Sequence, residues 1–133
     1  LIQRGDEVLE IFLEETAERL DSIESGLLRL ETCGLDCSQE TINSIFRDAH
    51  SVKAGSNLLK LTNVEDLAHK LENVLEMIRK QKISPSEIIV TACLESVDKL
   101  RELIENVERS ETISTRLHKH MLEAAVQKTL DGK

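Results

Sequence analysis

The sequence contains no tryptophan and no tyrosine, and Phe12 and Phe46 are its only aromatic residues. Any core must therefore be assembled from interlocking leucine, isoleucine and valine, the usual filling of a helix bundle. One proline and five glycines leave little punctuation, and the abundance of Leu, Glu, Ile, Lys and Arg sets a local preference for helix, so the expected fold class is all-α. Positive charge is also scarce: 17 Lys and Arg against 25 Asp and Glu give a formal net charge of −8. With no run of Lys or Arg to offset it, that balance repels phosphate backbones and excludes sequence-independent nucleic-acid binding. No apolar run approaches the 18 or so residues that cross a bilayer, and the first residues lack the charged and apolar regions of a signal peptide. The expectation is a cytoplasmic protein with no membrane insertion.

Three cysteines, an odd number, do not make a disulfide framework. Cys33 and Cys37, four apart in a Gly-containing loop, raise the question of a metal site completed by His118 and His120. A structural zinc site asks for a second tight ligand pair at the proper spacing, which is missing, so no metal is expected. Cys93 falls on an apolar helix face and reads as core. A length of 133 residues suits one domain. The start at Leu1 rather than Met and the acidic, Gly-containing end around Asp131 and Gly132 suggest a piece of a longer protein.

Helical spacing runs through most of the chain. Leu9, Leu13, Thr16, Leu20, Ile23, Leu27 and Leu30 form one stripe of a long amphipathic helix from Asp6 to Glu31, with Asp6 as its cap and Gly34 at its C-terminal turn. A second helix should open near Ser38 and bury Ile42, Ile45, Ala49, Val52, Ser56 and Leu59, with a fray or turn between Gly55 and Leu61. Thr62 and Glu65 read as the two ends of a capping box for a third helix carrying Val64, Leu67, Leu71, Val74 and Ile78. Ser84-Pro85-Ser86-Glu87 reads as a cap, a proline at the first helical position and a glutamate at the third, opening a fourth helix with Ile89, Cys93, Val97, Leu100, Ile104 and Val107. A fifth helix, about 114–130, has a thin apolar face of Leu117, Met121 and Ala124. Short connections make successive helices antiparallel neighbours. The expected architecture is an antiparallel four-helix bundle over about 6–110 with an additional C-terminal fifth helix.

The second helix departs from a plain amphipathic pattern. At about 100° per residue, Lys53 falls within its apolar arc and His50 and Asn57 fall just past Phe46, at the border of core and solvent. A snorkelling lysine and a satisfied edge histidine are one account of this. On the third helix His69 and Glu72 also flank the apolar stripe, and antiparallel pairing would bring them opposite His50 and Lys53. A carboxylate that takes the N–H of one imidazole nitrogen leaves the lone pair of the other free as a nucleophile. A lysine one turn away would supply positive charge for a dianionic group attached there. On the helix edge the carboxylate of Glu72 is expected to be largely solvated.

The run Phe46-Arg47-Asp48-Ala49-His50-Ser51-Val52-Lys53-Ala54-Gly55-Ser56, followed by His69-Lys70-Leu71-Glu72-Asn73 and Glu95-Ser96-Val97-Asp98-Lys99-Leu100, resembles the N-terminal histidine-containing phosphotransfer domain of CheA-type chemotaxis histidine kinases. The resemblance implies that the kinase's ATP-binding domain phosphorylates His50 at its distal nitrogen, with Glu72 hydrogen-bonded to the proximal nitrogen and Lys53 and His69 completing the cluster. The phosphoryl group would then pass to an aspartate of a CheY-like or CheB-like response regulator. Arg47, Ser51, Ala54, Gly55 and Asn57 would be candidates for partner docking. The chain departs from the family pattern where glycines follow the lysine: Ala54, Asn57 and Lys60 stand in their place. With neither Gly-x-x-x-x-Gly-Lys nor a Gly-rich loop, the chain is expected to bind no cofactor, to be no enzyme by itself and to leave ATP and Mg²⁺ to partner domains. A monomer is expected for the isolated domain.

Two rival readings compete with this one. A di-metal carboxylate bundle needs Glu-x-x-His on two helices, and the nearest approach here is a single Asp66-x-x-His69. A helical adaptor with no chemistry is the stronger rival, since exposed charge on a bundle is usually a solvated face. On either account His118 and His120 read as surface residues.

Overall fold

A computed structural model describes residues 6–33 and 39–132. The described residues form α1 (Glu7–Cys33), α2 (Gln39–Leu58), α3 (Thr62–Arg79), α4 (Glu87–Glu105), a 3-10 segment (Val107–Thr112) and α5 (Arg116–Asp131). Helices α1 and α3 each pack against both α2 and α4, so the four close into a ring, and α5 lies outside against α4 and α3. The four-helix bundle with an added fifth helix is thus as expected. Partners across α2 and α3 run in opposite directions, Asn57 with Glu65 and His50 with Glu72, which sets the two helices antiparallel.

The apolar stripes of α1 to α4 lie in one continuous core. In α1 the buried set is Leu9, Leu13, Thr16, Leu20, Ile23, Gly26, Leu27 and Leu30. Asp6 does cap this helix, its Oδ1 accepting from the Leu9 N–H at 3.1 Å. Gly34, Cys37 and Ser38 lie outside the described residues. Gly26, which no motif singles out, makes room for Ile45 of α2: a Cβ there would stand 2.3 Å from Ile45 Cγ2. In α2, Ile42, Ile45, Ala49, Val52 and Ser56 are buried, and Leu59 is half-buried beyond the helix end.

Three helix starts and faces differ from the sequence reading. Thr62 does not cap α3, because it is already helical and the cap position is Leu61, with no side-chain cap. The carboxylate of Glu111, in the 3-10 segment, instead accepts from the Thr62 N–H at 2.6 Å and the Asn63 N–H at 3.2 Å. The orphan donors of a helix terminus need an acceptor, and the bundle supplies one from 49 residues away. In α4 the first helical residue is Glu87, so Pro85 precedes the helix rather than opening it, and Ser86 is the cap residue without a side-chain cap bond. In α5 the buried residues are Leu122 and Ala125, with Val126 packed against the core. Leu117 and Ala124 face solvent and Met121 is half-buried. The buried stripe is one residue out of phase with the one inferred from spacing, because a short helix with two apolar sets buries whichever one the groove between its neighbours admits.

Candidate functional site

Helices α2 and α3 meet along an edge where apolar packing gives way to polar groups. Ala49 and Val52 of α2 and Leu71 and Leu75 of α3 are buried. Their neighbours His50, Lys53 and Glu72 therefore sit at the core's margin. The Nδ1 of His50 is 2.5 Å from Glu72 Oε2, and Lys53 Nζ is 2.7 Å from Glu72 Oε1. Each carboxylate oxygen thus has its own partner on α2. An ionised carboxylate can only accept, so Nδ1 is the donor of this pair, and in the neutral ring the lone pair then lies on Nε2. The side chain of His50 is 56% exposed while that of Glu72 is 8% exposed, so the ring faces solvent and its anchor does not.

The burial of Glu72 differs from the solvated edge position expected from sequence: Lys53 and His50 cover it from the next helix. Burial alone would raise its pKa, but hydrogen bonds and charge from Lys53 and His50 outweigh that cost and hold the carboxyl below its ordinary value. His69 lies exposed one turn before Glu72 and takes no part in the hydrogen bonds of the cluster. The structure therefore gathers three of the four expected polar groups and leaves the fourth on the rim.

A further contact had no motif to announce it. The ring of Phe46 is stacked near His50, with centroids 6.5 Å apart and planes 23° from parallel, within the range of attractive aromatic pairs. Arg79 lies over Phe46, its guanidinium carbon 4.7 Å from the ring centroid, in the range of a cation–π contact. Glu76 accepts from Arg79 Nε at 2.6 Å. The four-residue spacing of Phe46 and His50 was visible in the sequence. Arg79 follows from the antiparallel register, since it lies as far along α3 from Glu72 as Phe46 lies back along α2 from Lys53.

Of the candidate docking residues, Arg47, Ala54 and Asn57 are exposed, and Ser51 and Gly55 are half-buried. Phe12 of α1 covers Gly55 so closely that a Cβ there would be 2.9 Å from its ring. Asn57 donates to Glu65 Oε2 at 2.9 Å, which ties the end of α2 to α3. Lys60 adopts φ 61°, the left-handed conformation that glycine takes without a steric penalty. Lys60 thus holds a conformation suited to glycine at one of the positions where the resemblance led to the expectation of a glycine.

The metal alternative gains nothing. Among the described residues no three His, Cys, Asp or Glu side chains are grouped to hold a metal ion, Cys33 is exposed and Cys37 lies outside those residues. Cys93 is buried core, its thiol pKa pushed up to about 12 by burial. His120 is exposed as expected, but His118 is half-buried on the packed side of α5, with a buried Nδ1. Among the described residues no helix is long and apolar enough to cross a membrane.

Known proteins are similar to this chain in sequence and in fold. The chemotaxis protein CheA of Rhizobium meliloti is 36% identical over 98 residues, 74% of this chain and 13% of that protein. The sensor histidine kinase CheAY of Helicobacter pylori is 30% identical over 121 residues, 91% of this chain and 15% of that protein. The chain thus spans less than a fifth of the length of these relatives. Among solved structures, the CheA phosphotransferase domain from Thermotoga maritima superposes with a TM-score of 0.70 at 27% identity, covering 77% of this chain and 98% of that one. The phosphorylated P1 domain of CheA3 in complex with CheY6 from R. sphaeroides shares the fold, with a TM-score of 0.79 at 24% identity over 93% of this chain and 98% of that one. The Hpt domain profile matches residues 7–110, a span that holds the whole bundle and the His50–Lys53–Glu72 cluster, and the chain belongs to the Hpt domain family.

Proposed function

We propose that Nε2 of His50 accepts a phosphoryl group from the ATP-bound catalytic domain of a CheA-type kinase and passes it to an aspartate of a CheY-like or CheB-like response regulator. The observation that carries this reading is the 2.5 Å bond between His50 Nδ1 and the buried carboxylate of Glu72. It keeps the proton on Nδ1 and directs the free lone pair of Nε2 to solvent. In the first transfer that lone pair forms a bond to the γ-phosphorus as the bond to the β,γ-bridging oxygen breaks and ADP leaves. In the second, a carboxylate oxygen of the regulator takes the phosphorus and the N–P bond breaks, returning the lone pair to Nε2. Glu72 stabilises the positive charge that develops on the ring in the first step, and Lys53, already drawn to the cluster by Glu72, offers charge to the bound phosphoryl group. His69, on the rim, is the remaining member of the proposed site.

The chain itself is a substrate and donor rather than an enzyme, and Mg²⁺ and nucleotide come with the partners. An exposed imidazole on a convex edge suits two proteins that must reach the same atom in turn. The test is incubation with a CheA-type catalytic domain, labelled ATP and Mg²⁺, followed by mapping of acid-labile phosphate. Label is expected on His50 only when the kinase domain is present, and His50→Gln, which keeps bulk but removes the nucleophile, should abolish incorporation. Label on His69, or undiminished label in His50→Gln, would sink the assignment.

A further inference from the structure

Charge is distributed unevenly over this acidic chain. Helix α1 carries eight Asp and Glu against two Arg. Helix α5 carries Arg116, Lys119 and Lys128 against Glu123 and Asp131, with His118 and His120 in addition. Its basic end meets Lys70 of α3, and Lys70, Arg116, Lys119, His120 and Glu123 line an open cleft of about 290 Å³. One carboxylate of the cleft serves two of these groups: Glu123 pairs with Lys70 and stands 3.5 Å from His120 Nδ1. Lys119 is 4.0 Å from Asp66, the limit of an ion pair. The first turn of α5 holds no acidic residue, so the positive end of its dipole adds to the same potential rather than being offset.

The cleft and His50 flank a single helix. At about 100° per residue, His69 stands roughly 60° around α3 from Glu72 on one side and 100° from Lys70 on the other. The exposed His69 is therefore the ridge between the phosphotransfer edge and the cationic cleft. A protein seated over His50 from the α3 side reaches both.

We propose, building on the reading of His50 above, that this α3–α5 edge is the landing surface for the nucleotide-loaded kinase domain. That partner arrives with the negative charge of ATP directed at His50, toward a chain whose own net charge of −8 opposes the approach. A local cationic patch beside the target atom favours encounters in the productive orientation and raises the association rate. The α1 side, with its excess of carboxylates, repels the same partner. The asymmetry steers the partner without contributing to the chemical step.

The test uses the chain in trans with a CheA-type catalytic domain and Mg-ATP. The double variant Arg116→Glu/Lys119→Glu changes two exposed or half-exposed side chains outside the His50 cluster. It should raise KM for the chain by about five- to tenfold at low salt and leave kcat unchanged. The difference should close at high salt, where the screening length falls to about 3 Å. Glu123→Gln, which removes the cleft's carboxylate, should change KM in the opposite direction, and its sign guards against misfolding of the double variant. Transfer from pre-phosphorylated chain to a response regulator should stay within about twofold, since steering acts on the partner that meets the patch. An unchanged KM in both variants, a defect that persists at high salt, or an equal loss of transfer to the regulator would overturn the proposal. If the parent chain takes up no phosphate, the reading of His50 fails first and this inference with it.

Discussion

The molecule builds the same triad of residue types twice. On the α2–α3 edge Glu72 lies between His50 and Lys53; on the α3–α5 edge Glu123 lies between His120 and Lys70. Both carboxyls are held below their ordinary pKa. The side chain of Glu72 is 8% exposed, and that of Glu123 is 49% exposed. The imidazole is at 2.5 Å in the first cluster and 3.5 Å in the second. Composition is therefore a poor guide to what a cluster does. Burial of the central carboxylate removes competing water and turns a salt bridge into a device that orients a ring, whereas the exposed copy is an adjustable patch of charge.

The largest expected contrast is in phosphorylation. Glu72→Gln should slow phosphate uptake on His50 by about tenfold, the usual scale for losing a ligand's orienting partner, while Glu123→Gln should leave kcat unchanged. Equal rates for Glu72→Gln and the parent would mean that the short His50 contact has no part in the chemistry.

Stability should separate the two next. Glu72→Ala leaves Lys53 and His50 without their acceptor. Because both are partly exposed and can take up water, the loss should be about 1–2 kcal/mol, below that of a fully buried pair. Denaturant unfolding would measure it, and Glu123→Ala should show no change in midpoint. A neutral Glu72→Ala would place its carboxylate in effective contact with solvent.

Acid titration sharpens the same point. A carboxyl whose pKa is lowered in the folded state stabilises the fold above its unfolded value, here about 4.5, and loses that contribution as pH falls through the lower folded value. The melting temperature of the parent should therefore fall below pH 4.5 more steeply than that of Glu72→Gln. Removing Glu123 should have little effect on the slope once salt is added, because exposed charge is screened.

The smallest effect lies at the end of α2. Lys60→Gly should stabilise the chain by up to about 1 kcal/mol, because glycine occupies the left-handed conformation without a Cβ penalty, offset in part by its greater freedom when unfolded. A destabilised variant would show that the Lys60 side chain makes a contribution of its own. This change should leave both clusters, and hence the phosphorylation rate, untouched.

Much of this protein was legible in one dimension because helical periodicity is a local property. The stripes from Leu9 to Leu30 and from Ile89 to Ile104 report their buried faces directly. His50, Lys53, His69 and Glu72 could be placed near one edge because short connections force antiparallel neighbours. The sequence could not show that Glu72 is buried, since its exposure depends on whether the side chains of His50 and Lys53 fold over it. Nor could it show that α3 is capped by Glu111 instead of Thr62, or that Gly26 admits Ile45, because those partners are distant in the chain. The face of α5 was misread for the same reason: it is chosen by the groove between α3 and α4, and two alternative apolar sets on a short helix leave local pattern without a vote. By itself the sequence determined the helices, the core faces of α1 to α4 and the residue types of the site, all of which follow from spacing along one helix at a time. Only the tertiary structure decided which carboxylate is desolvated, which imidazole nitrogen is held and which helix end meets which acceptor, because each depends on the distance between groups that the chain alone does not set.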